Sequence, residues 1–355
     1  MTRRWRVAAA IAGVITGVIA AFPTSTIAQR ATIVGRVSVK GSAISIGYAV
    51  VALKTAGYER FTDNDGHFAI RDVAPGRVAL SARRIGYAPL DTTFAVAAGD
   101  SIQLELEMTL VTIRLPAIYS LAHACAHPGR TNAELSAELL SLFEQVKESA
   151  ERNRLLSRSY PFEMVVERRI SRPEPALEAR FIAFDTVRRT SERLWRYEAG
   201  KMLGTREYEP GVFGGKWTTL TMPELADYAD DRFLDSHCFD YGGIDLVDGD
   251  SLLLIEFKPA ENIHDPDIAG TLYLDPKTYQ LRMTAVALVN LNKQLREQIS
   301  GQAIRATFKE IFPGVPVIDA VSSVVFPIEV KKGPSLEPST EDQRTLSVRF
   351  LKGKP

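Results

Sequence analysis

Three scarcities bound this 355-residue sequence before any motif is considered. Net charge is absent, since 43 Lys and Arg balance 43 Asp and Glu. A general nucleic-acid binder needs a basic excess, so that class is excluded. Cysteine is nearly absent, and two residues cannot build a disulfide-dense miniprotein. Long apolar runs are missing beyond the first thirty residues, and the next richest stretch, Leu252 to Ile255, is only strand length. What is present is a 45% hydrophobic content, which argues against disorder, and a length that allows about two domains with cores of their own.

The N-terminus carries an address. Arg3, Arg4 and Arg6 precede Val7 to Gln29, a segment with no charged residue, and Pro23 with a Thr/Ser cluster follows its richest part. A basic start, an apolar middle and small residues at Ala28 and Ala31 predict a secretory signal peptide over residues 1–28. The competing reading is an uncleaved anchor. The short apolar core, Pro23 and the lack of a following basic cluster weigh against it. Arg3-Arg4 resembles a twin-arginine signal, although Arg6 stands where an apolar residue belongs. Without the leader, 40 basic residues face 43 acidic ones. The expected location is exported: periplasmic, outer-membrane-associated or secreted, with membrane contact at most peripheral.

From Thr32 to Met108 short apolar runs alternate with turn signals, the rhythm of a β-sandwich. Ile33 to Val37 and Ala49 to Leu53 are strand-like, and Ile102, Leu104, Leu106 and Met108 alternate with polar neighbours. Asp63-Asn64-Asp65-Gly66 predicts a hairpin turn, because Asp-Gly supplies the positive φ of a tight turn. A calcium loop would need a Glu about six residues beyond the Gly, where Asp72-Val73 stands. Arg83-Arg84 reads as a solvated strand end.

The order Val34-Gly35-Arg36-Val37, Thr62 to Phe68, Val73-Ala74-Pro75-Gly76 and Ala82 to Tyr87 resembles the carboxypeptidase regulatory-like domain family. The resemblance covers residues 31–110 and implies a seven-stranded, transthyretin-like sandwich that serves as an accessory module and brings no catalytic residues. The segment Val39 to Tyr48 departs from the family's Gly-x-Pro-Leu-x-Gly-Ala pattern, so the second strand is the part least defined by it.

Residues 111–130 form a linker, and 131–352 a helix followed by a β-rich domain. Thr131 to Glu134 is a capping box, and Leu135, Leu139, Leu142, Phe143, Val146 and Ala150 follow at helical spacing, predicting a helix over 131–155 packed on the second domain. Strand patterns follow at Phe162–Ile170, Arg180–Val187, Arg193–Glu198, Ser251–Lys258 and Ala269–Leu274. They continue at Gln280–Asn290, Ala303–Ile311, Ser322–Lys331 and Arg344–Leu351. Together they predict a mainly β chain: the sandwich, then a curved antiparallel sheet around one long helix. Gly270-Thr271-Leu272-Tyr273-Leu274-Asp275 before the turn at Pro276 resembles the open half-barrels of periplasmic lipoprotein carriers, which implies a concave face for acyl chains. A filled interior without ligand is the preferred alternative.

Candidate chemistry is sparse. His123, Cys125 and His127, with His237 and Cys238, form two clusters that could hold zinc if they converged, but residues 123, 125 and 127 lie too far apart along a strand to reach one ion easily. Export makes a Cys125–Cys238 disulfide the favoured reading, ahead of free thiols and zinc. No zinc-peptidase, nucleophile-elbow or P-loop pattern occurs, so no catalytic residue, metal or cofactor is assigned. The loop from Gly211 to Tyr241 interleaves aromatic and acidic residues. Its Phe213, Trp217, Tyr228, Asp231, Phe233, Asp235, His237, Phe239 and Tyr241 are the candidate binding surface. The expected function is a non-enzymatic binding or scaffolding protein of the bacterial envelope, its partner an envelope protein or a hydrophobic ligand. The alternatives are a carrier of lipid on the second domain's concave face and a hydrolase using the acidic–aromatic loop.

Overall fold

The computed structural model describes residues 30–111, 113, 125–126, 128–129, 137–174, 177–189, 195–208, 215–328 and 338–353; residues 172–174, 177–181, 205–208 and 215–219 are described by their backbone. The predicted leader, the capping box at 131–134, His123, His127 and Phe213 lie outside the described residues.

Seven strands make the first unit. β1 (Ala31–Val39) lies between β4 (His67–Val73) and β7 (Ser101–Met108), antiparallel to the first and parallel to the second. The opposing sheet runs β3 (Tyr58–Phe61), β2 (Val50–Leu53), β5 (Gly76–Arg83), β6 (Leu90–Val96). Ile33, Val37, Val51, Leu53, Ile70, Leu80 and Leu106 close the core between the sheets. The predicted turn before β4 is present: the Asp63 carboxylate accepts the backbone N–H groups of Asp65 (3.0 Å) and His67 (2.7 Å), and Gly66 sits at φ +78°. A side chain at Gly66 would also collide with Val37 O, so glycine is needed twice over.

The second unit is a nine-stranded antiparallel meander with one displaced hairpin. After α1 (Ala137–Ser159), β8 (Phe162–Glu174) and β9 (Leu177–Arg189) form an edge hairpin. The chain then leaves the sheet through β10 (Leu203–Tyr208), β11 (Gly215–Leu220), α2 (Leu225–Tyr228) and α3 (Asp231–Leu234). It re-enters at the opposite edge as β12 (His237–Val247) and returns through β13 (Asp250–Pro259), β14 (Asp267–Leu274), β15 (Leu281–Val289), α4 (Lys293–Arg296), β16 (Ile299–Phe312) and β17 (Val315–Pro327) to β18 (Ser339–Phe350), which closes against β8. The predicted strand at Arg193–Glu198 is absent over its described part, 195–198, which takes an irregular path.

The concave face is filled. Leu139, Leu142, Phe143 and Val146 of α1 pack with Tyr228, Phe233, Leu253, Ile255, Phe257, Leu272 and Phe308 into one core. The helical spacing seen in the sequence therefore marks a face packed on the sheet. No helix among the described residues is long and apolar enough to cross a membrane.

The two units dock through a polar and aromatic junction. Glu59 accepts hydrogen bonds from Arg83 (2.8 Å), Arg154 (3.3 Å) and Arg158 (2.8 Å). The ring of Phe312 packs against Tyr48 and Phe61 with centroids 5.0 and 4.9 Å away. Arg152 of α1 is fully buried, lies over Phe61 and donates to Pro313 O, which Arg84 also reaches at 3.1 Å. Burial, reinforced by the neighbouring Arg84 charge, pushes the Arg152 guanidinium down to about 9. Arg83 and Arg84 are thus interface residues and not a solvated strand end, because the second unit supplies carboxylate and carbonyl partners invisible in the local sequence.

Candidate functional site

The predicted surface from Tyr228 to Tyr241 folds inward. Tyr228, Phe233 and His237 have no exposed surface, and Phe239 and Tyr241 are buried beside them. This corrects the expectation for all five. The physical reason is strand alternation: His237, Phe239 and Tyr241 occupy every second position of β12 and face the core, with Cys238 and Asp240 between them. Asp231 and Asp235 remain exposed around the small helix α3. Trp217 lies on β11, away from these residues in the chain, and belongs to the separate β10–β11 hairpin.

What the cluster builds is a buried polar relay. The ring of His237 stacks on Phe233 with centroids 4.0 Å apart. Its Nδ1 lies 2.9 Å from Phe233 O, and its Nε2 lies 3.3 Å from Ile268 O and 3.7 Å from an Asp267 carboxylate oxygen. Both ring nitrogens face oxygen, which holds the ring in place between Phe233 O, Ile268 O and the Asp267 carboxylate. Asp267 also accepts the Tyr197 hydroxyl at 2.8 Å and the N–H groups of Gly200 (3.0 Å) and Ile268 (2.8 Å). Burial alone would raise its carboxyl. The hydrogen bonds and charge of His237, with Gly200 N–H and the Tyr197 hydroxyl, outweigh it and hold the carboxyl below its ordinary range. Burial, followed by the Asp267 charge, pushes the Tyr197 phenol upward, so it stays a donor. Asp227 completes the set by accepting Tyr197 N–H at 2.9 Å. The sequence offers no local signal for Tyr197 or Asp267, since both reach the site over long chain separations. The alternation of 237, 239 and 241 was the signal that could have placed the rest.

Cys125 and Cys238 form the expected disulfide, with Cα atoms 5.7 Å apart. The bridge ties Cys125 to β12, where Gly129 N–H donates to His237 O and Glu261 N–H to Cys125 O. The edge of the sheet is covered there.

A cavity opens instead on the outer face. The cross-strand registers align Arg344, Ala320 and Thr307 in one row and Asp342, Ser322 and Arg305 in the next, on β18, β17 and β16. Their neighbours Thr345, Val321, Ala306 and Phe308 face the core, so these six face out. Small side chains on β17 leave a trough between the longer side chains of β16 and β18, a cleft of about 360 Å³. Glu167 and Arg169 of β8 extend one bank and pair with each other at 2.9 Å. Arg305 leans away, its Nε on the Met283 sulfur at 2.8 Å and its terminal nitrogen on Asp248. Among the described residues Arg344 and Asp342 have no ion-pair partner, so one cation and one anion face the open trough, two residues apart on the same strand. That arrangement suits a polar ligand with both donor and acceptor groups.

Comparison with known proteins gives a family match for the first unit and remote likenesses among solved structures. A search of curated proteins matches none to this chain. Among solved structures, a putative outer membrane lipoprotein-sorting protein domain from Vibrio parahaemolyticus is similar at 10% identity, covering 60% of this chain and 95% of that one with a TM-score of 0.31. A LolA superfamily protein from Nitrosomonas europaea is similar at 11% identity, covering 60% and 94% with a TM-score of 0.29. A DUF1329 family protein from Desulfovibrio piger, at 12% identity, covers 60% and 95% with a TM-score of 0.28. For the first unit the match is by sequence: residues 32–110 match the family model of the carboxypeptidase regulatory-like domain.

Proposed function

We propose that this chain is a non-catalytic binding protein of the bacterial envelope, exported by its N-terminal signal, in which the sandwich braces a sheet domain whose outer cleft recognises a polar partner. The observation that carries this reading is the contrast between the two faces of the nine-stranded sheet. The concave face is filled by α1, α2 and α3, while the outer face holds the cleft with Arg344 and Asp342 exposed in it. Neutral charge speaks against nucleic acid, and the disulfide fits an oxidising compartment.

A photo-crosslinking residue in place of Ser322, on the trough floor, tests the reading in intact cells. It is expected to capture a discrete adduct that Arg344→Ala and Asp342→Ala abolish, while the same probe at the exposed Leu246 captures none. Extraction of the purified protein with organic solvent separates the alternatives. A stoichiometric lipid, with no adduct at Ser322, would overturn the proposal in favour of a hydrophobic-ligand carrier. Turnover of an ester or peptide substrate that Asp231→Asn with Asp235→Asn abolishes would favour the hydrolase.

A further inference from the structure

β9 is the last strand at one edge of the nine-stranded sheet, and among the described residues it pairs only with β8. Its register with β8 runs without interruption from the turn, where Glu174 pairs with Leu177. A two-residue turn makes its flanking pair the hydrogen-bonded one, so odd-numbered residues of β9 bond to β8. The backbone N–H and C=O groups of Ile182, Phe184 and Thr186 therefore point to the open edge. On the outer face of this edge two large apolar side chains stand in water, Ile182 at 56% and Phe184 at 65% exposure. Strand edges are ordinarily blunted with Pro, Lys, a bulge or an inward-pointing charge. The stretch Ile182-Ala183-Phe184-Asp185-Thr186 has no Pro, Lys or bulge, and its one inward-facing charge, Asp185, is compensated within the sheet by Arg168 at 3.2 Å.

We infer that β9 is a self-association edge, and that its occupant is β9 of a second copy of this chain, paired antiparallel about a two-fold axis through Ala183. That register sets Ile182 opposite Phe184 of the second copy, and Phe184 opposite its Ile182, as hydrogen-bonded pairs that use the open backbone groups. It also brings Arg188, which pairs with Glu163 of its own sheet at 2.8 Å, opposite Glu178 of the second copy at each end, so that opposite charges and not like ones face each other. The neighbouring registers lose this. An axis through Phe184 sets Arg188 against Arg180 of the second copy, and an axis through Ile182 sets Phe184 against that Arg180. Only the Ala183 axis matches apolar with apolar and charge with opposite charge at once, which is what a two-fold interface requires of one strand. The dimer joins two nine-stranded sheets into one continuous sheet.

The test uses the full chain expressed with its own leader and purified from the envelope fraction. Sedimentation velocity is expected to show a dimer. In the proposed register the two copies of residue 183 are a non-hydrogen-bonded pair with Cα atoms ~4.5 Å apart, within disulfide reach. Ala183→Cys is therefore expected to cross-link the dimer on mild oxidation, and Thr186→Cys is not. Phe184→Asp, whose side chain is exposed and whose folding circular dichroism checks, is expected to weaken dimerisation roughly 100-fold, because symmetry introduces the change twice. Leu246→Asp, at the opposite edge, leaves it unchanged. A monomer at all concentrations up to roughly 100 µM, in the range of weak association, overturns the inference. So does a dimer that Phe184→Asp leaves intact, and cross-linking at 186 in place of 183 overturns the register.

Discussion

Asp267 accepts three hydrogen bonds and faces the His237 ring at 3.7 Å, and the balance of its environment makes it the residue on which the inner end of the sheet domain turns. A carboxylate buried with its partners is costly to leave half-complete, because removing one charge strands the other. Asp267→Asn is expected to destabilise the protein by ~3–5 kcal/mol in urea unfolding, because the groups gathered on the buried carboxylate lose their charged acceptor. The pH dependence follows from the lowered native carboxyl. Between its native value and the ordinary value near ~4, the unfolded chain binds more protons than the folded one. Its stabilisation is complete above about pH 4 and is lost as the pH falls through the native value. Acid titration of the unfolding free energy should therefore fall more steeply below about pH 4 in the native protein than in Asp267→Asn, and parallel curves would reject the assignment. The sequence displayed His237, Phe239 and Tyr241 plainly, yet their interleaved acids disguised a buried strand as a surface loop. Composition spoke for the loop and periodicity for the strand, and periodicity was right.

At the scale of elements, strands with uninterrupted alternation were legible, because a pleated surface buried on one side imprints its period on the chain. β8, β13, β15 and β18 all begin or end within a few residues of the sequence reading. β12 was not legible: Gly242-Gly243 breaks the pattern where the register slips between Tyr241 and Gly243. α2 and α3, at four residues each, are too short to show a helical period. The disulfide was legible from compartment and count alone, but not what it secures, the strap along the start of β12. Cys125 and Cys238 are 113 residues apart, so by loop-closure entropy their bridge contributes ~4–5 kcal/mol. The double variant Cys125→Ala, Cys238→Ala should lose about that much in equilibrium unfolding. Hydrogen exchange should rise first at Gly129, whose N–H caps His237 O, and a loss confined to other strands would show that the strap is held by something else.

At the scale of the whole molecule, the function proposed depends on the sandwich staying docked, and the docking rests on charges that no local pattern announced. Glu59 sits on β3, while two of its three guanidinium partners lie on α1, more than ninety residues away. Beneath it Gly314, at φ +74°, lets the Pro313 carbonyl approach Arg84 and Arg152 so closely that a Cβ would fall 2.8 Å from both guanidiniums. Glu59→Ala removes the one carboxylate shared by three cations and leaves Arg83, Arg154 and Arg158 facing each other. The cost should be roughly 1–3 kcal/mol, less than for a fully buried pair because Glu59 keeps some contact with solvent. That loss falls on docking and not on either core, since the residues between the sandwich sheets make no use of Glu59. In hydrogen exchange, protection should drop at Phe61 and around Phe312 while Val51 and Leu80 keep theirs. A uniform loss across the sandwich would instead make Glu59 a residue of that unit's own stability, and the brace between the two units would then rest on Arg152 and the rings of Tyr48, Phe61 and Phe312.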